Sequence, residues 1–220
     1  MRQPRFFVLM MASLVAFALP ASAETELSFY LGAQTAPHSR VEGNDPSGIG
    51  PFSFLATWEG RSFEAPPYYG ARATWWANEK LGFGLDFSHA KVYADDATLT
   101  GNGFSTLEFS DGINILTANV WRRWQIPDRR WTPYVGAGIG LAIPNVEVQT
   151  TGGAKTFEYQ VTGPAVQWVA GVTYELNEKW GLFGEYKGTY STNEADLVGG
   201  GTLKTDILTN ALNVGVSFRF

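Results

Sequence analysis

Cysteine is absent from this chain of 220 residues, which excludes disulfides, iron–sulfur clusters and thiol catalysis. Histidine occurs only twice, so any histidine chemistry must draw on His38 and His89. No apolar run beyond residue 19 is long enough for a transmembrane helix, and membrane insertion, if it occurs, must go through strands. An excess of basic residues is also lacking, with 16 Lys and Arg against 21 Asp and Glu, which argues against a nucleic-acid partner.

What is present begins with a leader. Arg2 and Arg5 precede an apolar run over residues 6–19, then Pro20 and the small residues Ala21, Ser22 and Ala23. This is the layout of a secretory signal peptide cut after residue 23, with Glu24 as the expected mature N-terminus. Its loss removes two arginines and no acid, taking the formal charge from −5 to −7. Residues 24–220 then read as one domain. The far end, residues 211–220, alternates: Leu212, Val214, Val216, Phe218 and Phe220 on one face, Ala211, Asn213, Gly215, Ser217 and Arg219 on the other. One face suits lipid and the other a polar lumen. A terminal aromatic such as Phe220 is also the kind of signal by which the outer-membrane assembly machinery recognises its clients, which makes that machinery an expected partner. Aromatic residues at 15% beside 25 glycines fit aromatic girdles bracketing a lipid-facing band.

The same alternation recurs along the chain. It predicts strands near residues 24–34, 68–76, 81–89, 113–124, 132–143, 161–176, 180–190 and 205–220. Short turns separate pairs of them at Asn78-Glu79-Lys80, Pro127-Asp128 and Asn177-Glu178-Lys179. Longer connections fall at residues 35–67, 90–112, 144–160 and 191–204. The fold class is therefore all-β: an eight-stranded antiparallel transmembrane β-barrel, with four longer extracellular loops, three short periplasmic turns and both termini in the periplasm. A barrel of that size is just filled by its own side chains, so an open aqueous channel is not expected.

Arg72, Asp86, Arg123, Glu175, Glu185, Lys187 and Arg219 all take the inward phase, where opposite charges are needed simply to neutralise one another. Gly136, Gly138 and Gly140 thin one strand face and lack the strand-to-helix setting of a dinucleotide site. Gly199-Gly200-Gly201 lacks the lysine and helix of a phosphate loop. Arg122-Arg123-Trp124 reads as an interfacial anchor. The connection over residues 35–67 is too long and too rich in Trp, His, Arg and Glu for a passive tether. His38 and His89 are both expected at the outer ends of ascending strands, either sharing a site at the rim or sitting separately in polar surroundings at headgroup level.

The stretches T-A-P-H-S-R (35–40), W-E-G-R-S-F-E-A-P-P-Y-Y-G (58–70), G-L-D-F-S-H-A-K-V-Y-A-D-D (84–96), T-P-Y-V-G-A-G-I-G (132–140), F-G-E-Y-K-G-T-Y-S (183–191) and D-L-V-G-G-G-T-L (196–203) resemble the outer-membrane lipid A oxidase family of alpha-proteobacteria. That resemblance covers nearly the whole mature chain and implies an enzyme of the Gram-negative outer membrane. Its substrate would be lipid A of the lipopolysaccharide, its co-substrate dioxygen, and its reaction the conversion of the proximal glucosamine to 2-aminogluconate with release of hydrogen peroxide. Such an oxidation needs a base and an electron acceptor. With no flavin or nicotinamide motif, the acceptor is dioxygen, with a divalent transition metal held by histidine and carboxylate as a candidate cofactor. The catalytic candidates are His38, His89, Asp86 and Glu185, the two histidines also serving as candidate metal ligands. Arg40, Arg61, Lys91 and Lys187 are the candidates for substrate phosphate and sugar oxygens. Two other readings compete: a non-catalytic small barrel contributing to envelope integrity or surface interaction, and a lipid A deacylase, for which Ser88 and His89 stand on opposite strand faces.

Overall fold

The computed structural model describes residues 24–220, so the leader lies outside the described residues. Along the chain come β1 (Glu24–Thr35), β2 (Ser39–Asp45), β3 (Gly50–Ala56), β4 (Trp58–Glu59), β5 (Tyr69–Trp76), β6 (Leu81–Ala94), a helix α1 (Asp96–Asn102), β7 (Phe104–Arg123), β8 (Trp131–Thr150), β9 (Thr156–Tyr159), β10 (Gly163–Glu175), β11 (Trp180–Leu197) and β12 (Gly201–Arg219). Eight of these strands pair antiparallel around a closed ring, β1–β5–β6–β7–β8–β10–β11–β12, with β12 returning to β1 through Leu31↔Val214 and its neighbours. The remaining four, β2, β3, β4 and β9, extend its outer end.

Period-two alternation sets which side chains face out. Phe29, Leu31, Leu85, Ile139, Leu212 and Val214 lie exposed on the wall, while Ser28, Arg72, Asp86, Asn119, Glu185 and Asn213 are buried inside it. The periplasmic end carries an aromatic girdle that includes Trp75, Trp124, Trp131 and Trp180, all substantially exposed. Two of its turns share one device: the Asn78 side-chain oxygen accepts from the backbone N–H groups of Lys80 and Leu81, and that of Asn177 accepts from Lys179 and Trp180. Inside this end Arg123 grips Glu24 at 2.8 Å, and Arg219 grips Glu26 and Glu175 at 3.0 and 3.2 Å.

The outer half corrects the expected loops. Strands run through most of residues 90–112, 144–160 and 191–204, and β7 and β8 reach 20 residues each where about ten suffice to cross a bilayer. Beyond the membrane the alternation persists but its meaning reverses. Phe109, Ile113, Ile115, Val146, Val148 and Leu203 now point inward and form a fully buried apolar core. The residues 35–67 complete and plug this extension. β2 continues the wall on the edge of β12 above the end of β1, pairing Val41 with Thr205, and β4 does the same on β6. β3 folds back against β2, and its Phe52 and Phe54 pack edge-on to Phe104 with ring centres 5.2 and 5.4 Å apart. At the crown the buried Asp45 carboxylate accepts hydrogen bonds from Thr150 and Ser47, tying the β2–β3 hairpin to β8. The short helix α1 is capped by the Asp95 side chain and stopped by Gly103 in the left-handed region.

Because Val214 sits on the lipid-facing wall at 70% exposure, Val214→Arg should cost about 2–4 kcal/mol of folding stability near mid-bilayer. Urea titration of refolding into lipid vesicles measures this, and an unchanged midpoint would take that face out of the bilayer.

Candidate functional site

Asp86 and Glu185 converge across the lumen, and Arg72 lies between them. Its Nε donates to Asp86 at 2.8 Å and its Nη2 donates to both Glu185 oxygens at 2.9 and 3.0 Å. Lys187 Nζ donates to the other Asp86 oxygen at 2.5 Å and also to the Tyr30 hydroxyl, which in turn donates to Asp86 at 2.9 Å. Tyr134 and Asn213 donate to Glu185 at 2.7 and 3.1 Å. Two acids and two bases are thus matched and hydrogen-bonded in a buried interior, with the Trp121 ring 4.1 Å from the guanidinium. The void beside them, lined by Arg72, Trp121 and Tyr134 and reaching toward Arg123 and Arg219, measures about 20 Å³, room for a water but not for a sugar. Above them lies the apolar plug. Asp86, Glu185 and Lys187 are therefore brought together, but in a place closed to lipid.

A different set gathers on the outside of the wall. Phe87, Leu116 and Leu141 lie in register as an apolar row across β6, β7 and β8. The next row toward the cell exterior is Tyr69, His89 and Asn114, the first above the apolar row to present polar side chains on the outer face of β6 and β7. The His89 ring stacks on Tyr69, with centroids 5.0 Å apart and planes at 24°. Its Nδ1 is 2.9 Å from the Asn114 side-chain oxygen. That oxygen only accepts, so Nδ1 carries the proton and Nε2 keeps the lone pair. Nε2 is buried and meets no hydrogen-bond partner among the described residues.

A bulge opens the wall at this point. Between Glu108 and Ile113 the register of β7 slips, and Asp111 with Gly112 swings out of the ladder. Gly112 has φ +90°, and a Cβ there would meet the His89 ring at 2.3 Å, so only glycine lets the imidazole pack against the bulge. Asp111 accepts from Asn145 at 3.1 Å, and the Tyr159 hydroxyl reaches its carbonyl. Above His89, one row crosses five strands: Glu59, Tyr93, Glu108, Glu147 and Phe157. Lys91 and Arg61 both lie against the Tyr93 ring, 5.3 and 4.4 Å from its centre. Lys91 Nζ points at the carbonyls of Glu64 and Ala65, and Arg61 pairs with Glu59 at 3.0 Å. Glu147 pairs with Lys155 at 2.6 Å. Burial, together with the Glu147 carboxylate beside it, pushes the Glu108 carboxyl up to about 7.

The two histidines do not share this site. His38 is exposed and close to Asp95, whose carboxyl is held below its ordinary range first by hydrogen bonds from Thr98 and then by the charge of His38. Asp95 follows the end of β6, six residues beyond His89, or about 20 Å of extended chain. Arg40 is on the β2–β3 hairpin, donating to Ser53 at 3.0 Å. Of the predicted residues, then, His89, Lys91 and Arg61 come together at the rim, while His38 and Arg40 stand apart from them. Among the described residues no three His, Asp or Glu side chains assemble as a metal site, so the donor set does not fit a resident metal. Tyr69, Asn114, Asp111 and Glu108 belong to the rim and were missed; the Asp111-Gly112 pair was the one local signal for the bulge.

A closed ring of lipid-facing strands, polar within, defines an outer-membrane β-barrel. The chain matches the outer membrane protein beta-barrel domain over residues 9–220 and belongs to that family, whose place is the outer membrane of Gram-negative bacteria. Among solved structures it is similar to Neisserial surface protein A, at 15% identity and a TM-score of 0.51 over 89% of this chain and 97% of that one. It is also similar to the outer membrane protein AlkL in lipid bilayers, at 15% identity and a TM-score of 0.54 over 90% of each. These two likenesses concern the fold. No curated protein matches the chain.

Arg72→Met should leave two lumen acids short of their partner and destabilise the barrel by about 3–5 kcal/mol, read as a lower urea midpoint in vesicles. At the rim, the folded Glu108 keeps its proton up to about pH 7, whereas an unfolded glutamate releases it near pH ~4.3. The stability it contributes is complete below the unfolded value and is lost as pH rises through about 7, with Glu147, Lys155, Arg61 and Tyr93 as the charged or titratable groups around it. Proteolytic nicking of the β8–β9 turn should therefore be slower at pH 5 than at pH 8 relative to a pH-matched unfolded control, and Glu108→Gln should remove the difference.

Proposed function

We propose that this barrel is a lipid A oxidase, working at the outside of its wall on lipid headgroups of the outer leaflet. The observation that carries the reading is the His89 rim: an imidazole on the outer side of the wall, 4% exposed beneath the β7 bulge, its Nε2 lone pair unpartnered, with Lys91, 2% exposed, and the more open Arg61 on the same side, so that in this reading the bulge must yield to admit the sugar. The resemblance of the histidine-bearing and W-E-G-R stretches to lipid A oxidases supplies the substrate and the reaction.

In this reading the proximal glucosamine, as its C1 hemiacetal, loses the hydroxyl proton to His89 Nε2. The C1 hydrogen leaves with two electrons to dioxygen, giving a lactone and hydroperoxide anion, which takes the proton back from His89 and departs as hydrogen peroxide. Water then opens the lactone to 2-aminogluconate, one oxygen atom heavier than the starting sugar. Asn114 fixes the tautomer that makes Nε2 the base, and Tyr69 holds the ring plane. Arg61, anchored on the Tyr93 face, is the cation open to substrate phosphate, and Lys91, buried against the carbonyls of Glu64 and Ala65, adds positive charge behind it. Asp86, Glu185 and Lys187 serve the barrel rather than the reaction, and no step is assigned to a metal. The second reading, a non-catalytic barrel, is favoured by the completeness of the lumen network and of the plug.

Mass spectrometry of lipid A from cells carrying the chain or a variant tests both. Wild type and His38→Ala should give lipid A one oxygen heavier, with peroxide released. His89→Gln, which keeps polarity and volume but offers no imidazole base, should lose at least about 100-fold of the rate, the usual worth of a general base. Unmodified lipid A from wild type would favour the non-catalytic reading, and full activity in His89→Gln would remove His89 from the chemistry.

A further inference from the structure

The lipid-facing wall is not uniformly convex. Between β5, β1, β12 and β11 runs a groove of about 640 Å³, the size of a small-molecule site, lined by Phe29, Leu31, Tyr69, Leu182, Val214 and Val216. Its depth follows from sequence. Two glycines, Gly70 on β5 and Gly215 on β12, lie in its lining and add no side chain, so the space between the larger apolar side chains stays open. Leu182 lies two residues from the girdle residue Trp180, and Tyr69 with Pro67 closes the opposite end at the first polar row. The groove thus runs obliquely across four strands, from Pro67 and Tyr69 on the rim side to Leu182 on the girdle side.

Its upper end meets the polar rim. The Tyr69 ring that closes the groove also stacks on His89. A lipid chain lying in the groove is directed by this ring to deliver its headgroup beside the Nε2 lone pair and the Lys91 side chain.

We infer that this groove seats one acyl chain of the outer-leaflet lipid whose headgroup is engaged at His89, and that it sets how far down the wall the reacting sugar hangs. The inference rests on the reading of the rim as a headgroup site. Its occupant follows from position: the groove is continuous with the lipid-facing band, is lined by apolar side chains, and ends at the first polar row. It requires that a lipid be held here more than at other parts of the wall. It also predicts that filling the groove impairs turnover without disturbing the fold, since the residues changed already face lipid.

The test is photolabelling of the full chain in phosphatidylcholine nanodiscs, using lipid A that carries a diazirine in one acyl chain and, in a parallel arm, phosphatidylglycerol labelled in the same way. Peptides of β1 and β12 around Phe29, Leu31 and Val214 should be labelled by lipid A several-fold more than the peptide of β8 around Ile139, which faces the opposite side of the ring. Val214→Trp should abolish that preference and raise the KM for lipid A, whereas Ile139→Trp should change neither. Equal enrichment from phosphatidylglycerol would overturn the coupling to the headgroup at His89, and even labelling around the wall would overturn the groove itself. Preferential labelling by lipid A with no oxidation would keep the groove and remove the proposed reaction. Oxidation with even labelling would do the reverse.

Discussion

A ring of eight strands leaves an interior only as wide as the side chains that fill it, and nearly everything else in this molecule follows from how that interior is satisfied. At membrane depth the solution is Arg72. A single guanidinium spans from Asp86 to Glu185, and with Lys187 it gives a neutral set in which each carboxylate also receives a tyrosine or asparagine hydrogen bond. Removing one partner would leave a buried charge without its counter-ion. Above the membrane the solution is apolar, with the β2–β3 hairpin and α1 covering a core of inward Val, Ile, Leu and Phe.

With both halves of the interior filled, the proposed reaction on a lipid is confined to the outside of the wall. The positions that could act on a lipid are those in the first polar rows above the hydrocarbon, and there the β7 bulge presents Asp111 and Gly112 to His89. The bulge does two things at once. It breaks the ladder locally, and it removes the side chain that would otherwise displace the imidazole. The proposed role of His89 rests on this local geometry, and the proposed roles of Lys91 and Arg61 rest on the Tyr93 face that both share.

The membrane half was legible because lipid outside and polar groups inside make alternation unambiguous: Leu212, Val214 and Val216 against Asn213, or Phe83 and Leu85 against Asp86. The outer half was not, because water outside and an apolar core inside reverse the same pattern. Ile113 and Ile115 face in while Leu116 and Ala118 face out, which blurs the phase of β7 where it leaves the bilayer. The strands were consequently cut short, and His38 was drawn down to the level of His89. The helix α1, between Asp95 and Gly103, falls in what the sequence reads as a long connection, because seven residues carry too little periodicity to announce it. That Arg72 would choose both carboxylates needed coordinates, since sequence gives phase but not which charges meet across a lumen.

The claim that the outer wall, and not the lumen, is the working surface is tested most directly by nitrogen NMR of labelled histidine and lysine side chains in bilayers titrated with lipid A. The account predicts that the His89 Nε2 resonance shifts while Nδ1 stays protonated, and that Lys187 Nζ does not move. A shift at Lys187 with His89 unchanged would contradict it.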